Sequence, residues 1–127
     1  MYDGHGGDAC SNKLKEVFHR YILKDFSFAN VEENLRNQCR NFDNEFNSKV
    51  KTDQKNKLSG SCAVVLLILG TRHFYHAYLI DKRLIFINVG DSRAILSKKK
   101  GEYLKSVTYD HKPQFFSEMN RIFSKGG

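Results

Sequence analysis

Asp3-Gly4-His5-Gly6-Gly7 is the most chemically capable run in the chain. A carboxylate is a hard oxygen ligand suited to Mg²⁺ or Mn²⁺. Gly4 has no side chain to screen its carbonyl from the same ion. A histidine is the side chain suited to proton transfer, so His5 can serve as a general acid. Such a run at the end of a strand can hold a metal and keep a proton donor beside it. Alone, it also reads as an ordinary glycine-rich turn into a helix, so its chemistry needs support from elsewhere in the chain.

Three further runs carry candidates. Ser59-Gly60-Ser61-Cys62-Ala63-Val64 is a small-residue entry into a strand. Asn88-Val89-Gly90-Asp91-Ser92-Arg93-Ala94 places the carboxylate of Asp91 at a strand break, a position open to a metal. Asp110-His111-Lys112-Pro113 is followed by Glu118, Arg121-Ile122 and Gly126-Gly127. Other polar residues weigh less. Cys62 has no GxSxG or Cys–His context and sits in a strand interior, which argues against a nucleophile. His73 and His76 are three apart in a predicted strand, so they face opposite sides and make poor joint ligands. His19 lies on a helix and reads as solvated or half-buried.

The elements that position these runs follow from apolar spacing. Leu14, Val17, Phe18, Tyr21 and Ile22 recur at three and four, which predicts a helix over 8–24. Asp8 sits near its start, where a carboxylate favours the positive end of the helix dipole. A second helix is expected over 31–48, with Val31, Leu35, Cys39, Phe42 and Phe46 as its stripe and Asn30 with Glu33 as a capping box. Residues 51–60 read as a polar loop. The pattern then turns to β: a buried run at Cys62 to Leu69, then strands at 74–80 and 84–89 joined by a turn at Asp81-Lys82-Arg83. A hairpin follows from Arg93 to Ser97 and Tyr103 to Thr108, around Lys98 to Gly101. Gly90-Asp91 reads as a bulge or tight turn. Pro113 opens a last helix with Phe116, Met119, Ile122 and Phe123 on one side, and Gly126-Gly127 ends it with a left-handed cap. Two helices, about five meandering strands and a helix argue α+β with antiparallel sheet rather than alternating βαβ units.

Composition sets the class. The 127 residues suffice for one small core. At 40% hydrophobic and 28% charged, the chain has the profile of a soluble globular protein. Its longest apolar run, Ala63 to Leu69, is strand-sized and far short of the roughly 20 residues of a membrane helix. No basic-then-apolar leader is visible. Cys10, Cys39 and Cys62 are odd in number and lack a CxxC pair, so they read as small hydrophobes in a reducing compartment. The net charge of +7 rests on Lys98-Lys99-Lys100 and the lysines from Lys49 to Lys57. No aromatic-and-basic strand pattern accompanies them, so solvated loops are the favoured reading over a nucleic-acid surface.

Together, the four runs resemble the metal-dependent protein serine/threonine phosphatases, the PPM or type 2C family. That family carries, in order, DGHGG with a helix, a second helix, SGSTA, a strand, NVGDSRA, a hairpin, and DHKP leading into E-x-x-R-I and a double glycine. The sequence matches each element in order and at compatible spacing. Cys62 stands where the family has a threonine, and Gly70 to Arg83 is longer than the usual connection.

The resemblance implies an antiparallel β-sandwich flanked by helices (αββα), of which residues 1–127 are about half. On that expectation the chain starts at DGHGG and stops before the later metal-ligand motifs. It also implies two core Mg²⁺ or Mn²⁺ ions and a third, weaker one. Asp3 matches the carboxylate that bridges the core pair, Gly4 the carbonyl ligand, His5 the proposed general acid, and Asp91 the aspartate of the third ion. Ser92, Arg93 and Asp110 to Pro113 match residues that orient loops and cap the helix. The implied reaction is hydrolysis of phosphoserine and phosphothreonine in a phosphoprotein, without a covalent phosphoenzyme. The expected setting is a monomer when the domain is complete, cytoplasmic or nuclear, with no nucleic-acid or membrane partner. The family's phosphate-binding arginine and its remaining carboxylates have no counterpart here. A non-catalytic pseudophosphatase acting as a binding or scaffold module is therefore the alternative. A basic nucleic-acid-binding domain is a third reading, resting on charge alone.

Overall fold

The computed structural model describes residues 1–72 and 79–127, with the side chains of 70–72, 79–82 and 99 left aside. The fold is α+β with antiparallel sheets, and the chain divides into two compact units. One is formed by Tyr2–Cys62, the other by Ala63–Gly127 together with Met1.

The N-terminal unit holds β1 (Tyr2–His5), α1 (Ala9–Leu23), α2 (Val31–Val50) and the start of β2 (Gly60–Arg72). Apolar spacing decides which helix faces are buried. Cys10, Leu14, Phe18 and Ile22 on α1 are buried, as are Leu35, Phe42 and Phe46 on α2. Phe42 is the hub. Its ring meets Phe18 edge-on with centroids 5.5 Å apart, meets Tyr21 edge-on at 5.6 Å, and stacks on Phe46 at 6.0 Å. Such aromatic geometry stabilises beyond area burial alone. Gln38, outside the expected stripe, is buried beside Leu35, while Cys39 is only half-buried. The capping box expected at Asn30 does not form, because no Asn30 side-chain bond caps α2. Asp25, at φ 52°, carries the chain out of α1 in the left-handed region.

In the C-terminal unit, β2 pairs antiparallel with β3 (Leu79–Val89), in register from Ala63↔Val89 to Leu69↔Arg83, with an irregularity between Leu69 and Thr71. The turn expected at Asp81-Lys82-Arg83 is absent. β3 continues through those residues as a bulged strand, with Asp81-Lys82 opposite Gly70, because the pairs on either side, Arg83 with Leu69 and Ile80 with Thr71, keep it on the ladder. Most of the strand expected over 74–80, with His73 and His76, lies outside the described residues. The apolar run is not buried on both sides, since Leu66 and Ile68 are exposed while Ala63 is buried. The second hairpin forms as expected, β4 (Ile95–Lys98) against β5 (Tyr103–Ser106), with Lys98↔Tyr103 closest to its tip.

The last helix, α3 (Phe116–Phe123), starts three residues later than Pro113. Pro113 instead occupies the second position of a turn closed by the Phe115 N–H donating to the Lys112 carbonyl at 3.0 Å, where its fixed φ fits. No Asp110–Pro113 side chain caps α3. Its far end is as expected. Gly126 takes φ 85°, the Gly127 N–H donates to the Ile122 carbonyl and the Gly126 N–H to that of Phe123, both at 3.1 Å, which is the Schellman pattern. Among the described residues, no helix is long and apolar enough to cross a membrane.

Candidate functional site

Asp3, Gly4 and His5 lie in β1, and all three are exposed. The turn that follows depends on glycine. Gly6 takes φ 63° and Gly7 φ 122°, both in the region that side chains resist. A Cβ at Gly6 would also fall on the Leu58 carbonyl, and one at Gly4 would come within 2.7 Å of Ser11 Oγ. The polar loop before β2 is therefore pressed against the turn.

Ser59 and Gly60 explain why that loop ends in small residues. The Asp8 carboxylate does not cap α1, because it accepts from Asn12 Nδ2 at 3.1 Å. Ser59 Oγ instead accepts the free Cys10 N–H at 3.0 Å, from 49 residues away. Gly60 lies under the His5 imidazole, where a Cβ would collide with the ring. These two roles escaped sequence reading. The signal available was the Ser-Gly pair itself, but nothing local says which amide or ring it meets.

Asp91 stands in the C-terminal unit, just after β3. Gly90, at φ 94°, is clamped to His111: the His111 N–H donates to the Gly90 carbonyl at 3.0 Å, and the Gly90 N–H donates to His111 Nδ1 at 3.2 Å. Arg93 forks onto Asp110, with Nε to Oδ1 at 3.0 Å and Nη2 to Oδ2 at 2.9 Å. Lys112 Nζ lies 3.4 Å from Asp110 Oδ2 and 3.8 Å from Asp91 Oδ2. The Asp110 side chain is 5% exposed and Arg93 is 55% exposed, so the carboxylate is enclosed and the guanidinium covers it. Hydrogen bonds from Arg93, then from Lys112, hold the Asp110 carboxyl below its usual range. Asn88 Nδ2 donates to the Tyr109 carbonyl at 2.7 Å and Thr108 Oγ1 accepts the Ala94 N–H at 2.8 Å, fastening the same loop at both ends.

The donor chemistry is that of a hard cation, but the described set is partial. Asp3 and Gly4 offer adjacent oxygens, whereas among the described residues no three His, Cys, Asp or Glu side chains converge. A Mg²⁺ site needs about six oxygen ligands, so these residues fit part of a coordination shell and not a closed one. Burial raises the thiols of Cys10 and Cys39, which keeps them protonated and unreactive.

A family model described as protein phosphatase 2C matches residues 1–127. Over the whole chain, the sequence is 34% identical to "Probable protein phosphatase 2C 2" of Arabidopsis thaliana, covering 30% of that protein. It is 32% identical to a probable protein phosphatase 2C of Caenorhabditis elegans, covering 32% of it, and 32% identical to protein phosphatase 2C homolog 2 of Hypocrea jecorina, covering 26%. The chain thus spans about a third of the length of the curated relatives it matches.

Proposed function

The chain belongs to the protein phosphatase 2C family, and from that premise we propose that it serves in Mg²⁺- or Mn²⁺-dependent hydrolysis of phosphoserine and phosphothreonine in phosphoproteins, as part of a PPM-type domain of sandwich architecture in the cytoplasm or nucleus. The observation that carries this reading is the DGHGG turn. Positive φ and close packing against neutral groups shape it, and among the described residues the side chains of Asp3 and His5 make no hydrogen bond or ion pair, so both remain available for chemistry.

Asp3 and the Gly4 carbonyl are the residues that would hold the core ions, and Asp91 the residue for a third, weaker one. When bound, such ions lower the pKa of a water and offset charge developing at phosphorus. The chain's own part is proton delivery. His5 gives its proton to the serine or threonine oxygen as the P–O bond breaks, so the alcohol leaves neutral and water supplies the new oxygen on phosphate. The Gly60 floor sets the height of the ring over the strand end. Arg93, Asp110, His111 and Lys112 hold the loop that carries Asp91.

A chimera tests this reading. Residues 1–127 replace the matched segment of the Arabidopsis relative, which supplies the other oxygen donors. The chimera is expected to release phosphate from a phosphothreonine peptide with Mn²⁺, and Asp3→Asn to abolish that release while the circular dichroism spectrum is retained. A folded chimera indifferent to Asp3→Asn would refute the assignment. The 127-residue chain alone is expected to show no appreciable Mn²⁺-dependent turnover, because two oxygen donors leave such an ion mostly hydrated.

A further inference from the structure

The β4–β5 hairpin concentrates positive charge that the proposed phosphatase chemistry does not use. Lys98, Lys100 and Lys105 are exposed, and among the described residues none of the three forms an ion pair. The register pairs Leu96 with Lys105 and Lys98 with Tyr103. Alternation therefore puts Lys98 and Lys105 on the same face as diagonal neighbours, where like charges are unfavourable. From Ala94 to Tyr109 the sequence holds four lysines, Lys98, Lys99, Lys100 and Lys105, and no arginine, against the single acid Glu102.

The backbone at the tip adds an independent observation. Lys100 takes φ 55°, in the left-handed region where glycine or asparagine is cheaper, and Gly101 follows at φ 104°. A lysine at this position costs conformational energy and adds to the repulsion. Among the described residues no ion pair offsets the repulsion at the hairpin, whereas an anionic ligand would.

We propose that this hairpin is a docking surface for an acidic polypeptide segment, an Asp- and Glu-rich stretch of the phosphoprotein substrate. The proposal rests on the phosphatase reading for the identity of the partner and refines it to a substrate class. Charge complementarity selects an anion. A four-residue strand spans about 13 Å, which matches three or four residues of an extended peptide. The exposed Tyr103, on the same face as Lys98 and Lys105, supplies apolar contact beside the charges.

The test is equilibrium binding to the full 127-residue chain by fluorescence anisotropy, so that hydrolysis is not the readout. The probes are two fluorescein-labelled phosphothreonine peptides, one flanked by Asp and Glu and one by Asn and Gln. The triple variant Lys98→Gln, Lys100→Gln, Lys105→Gln is expected to weaken the acidic peptide by about tenfold or more and to leave the neutral-flanked one unchanged. The variant Lys51→Gln, Lys55→Gln, Lys57→Gln removes the same net charge elsewhere and is expected to leave both unchanged. Lys100→Gly relieves the backbone while removing one charge, so weaker binding with equal or greater stability separates docking from misfolding. Equal losses in both triple variants, no preference for the acidic peptide, or hairpin-dependent binding to phosphatidylserine vesicles in place of the peptide would overturn the proposal. Those failures leave the chimera's activity untouched, and an inactive chimera leaves a binding difference at the hairpin untouched, so the two readings fail separately.

Discussion

At Gly6-Gly7 the chain turns on backbone conformation and neutral neighbours. Positive φ values, the Leu58 carbonyl and the Ser59 hydroxyl shape the turn, and no charged group takes part. At Gly90 side chains do the fastening: His111 clamps the glycine, Arg93 forks onto Asp110, and Lys112 reaches toward both Asp110 and Asp91. The first region leaves its carboxylate and imidazole uncommitted, whereas the second commits its charges to one another. On the proposed function, a loop that offers Asp3 and His5 to a ligand gains from being held by atoms that neither titrate nor compete for that ligand. A loop held by ion pairs keeps its shape only while its carboxylate is ionised.

The largest expected break is Gly6→Ala. The new methyl group meets a backbone carbonyl, which cannot swing aside, at a φ that alanine resists. We expect a loss above about 3 kcal/mol in urea unfolding. A loss below about 1 kcal/mol would show that the loop yields and that the turn is not set by packing.

Asp110→Asn comes next and separates the two regions by pH. The folded-state pKa of Asp110 lies below its ordinary 3.8, so its contribution is complete above the ordinary carboxylate range and is lost as pH falls through the depressed value. The variant should have a lower Tm at neutral pH and a shallower decline of Tm below about pH 4. An unchanged acid limb would mean that the Arg93 fork carries no linkage. Glu118, held down by Arg121, and Glu45, held down by Lys49 and Tyr21, contribute acid dependence that the variant retains.

Gly60→Ala is a smaller perturbation of stability, about 1 kcal/mol or less, because the colliding atoms belong to the movable ring of His5. In the chimera it should lower kcat more than it changes Mn²⁺ dependence. Smallest of all, Lys100→Gly should raise stability by up to about 1 kcal/mol by removing a left-handed lysine. A decrease there would show that the lysine side chain stabilises the tip.

These contrasts also explain what could be read from the sequence. The glycine turn was legible because positive φ and close approach leave a local mark, as did the Gly126 cap and the apolar stripes of α1 and α2. The Arg93–Asp110 fork was not legible as a pair, since its members stand 17 residues apart and any of several carboxylates could have served. Asp81-Lys82-Arg83 misled because the pairs of Arg83 with Leu69 and Ile80 with Thr71 hold a bulge there in place of a turn. Pro113 misled because a proline fits the second position of a turn as well as the first turn of a helix. Asn30 misled because a residue of capping type does not guarantee a capping bond. At the candidate site, the types of Asp3, Gly4, His5 and Asp91 were legible, while the Gly60 floor under His5 required coordinates.

The central claim is that the first region presents His5 as a proton donor to the leaving oxygen, and leaving-group dependence tests it most directly. In the chimera, His5→Ala and the parent are compared on a phosphothreonine peptide and on p-nitrophenyl phosphate at saturating Mn²⁺. An alkoxide needs a proton to depart and a nitrophenolate does not. The account predicts a loss of about 10²–10⁴ in kcat on the peptide and a much smaller loss on the aryl ester. Equal losses on both substrates would contradict it.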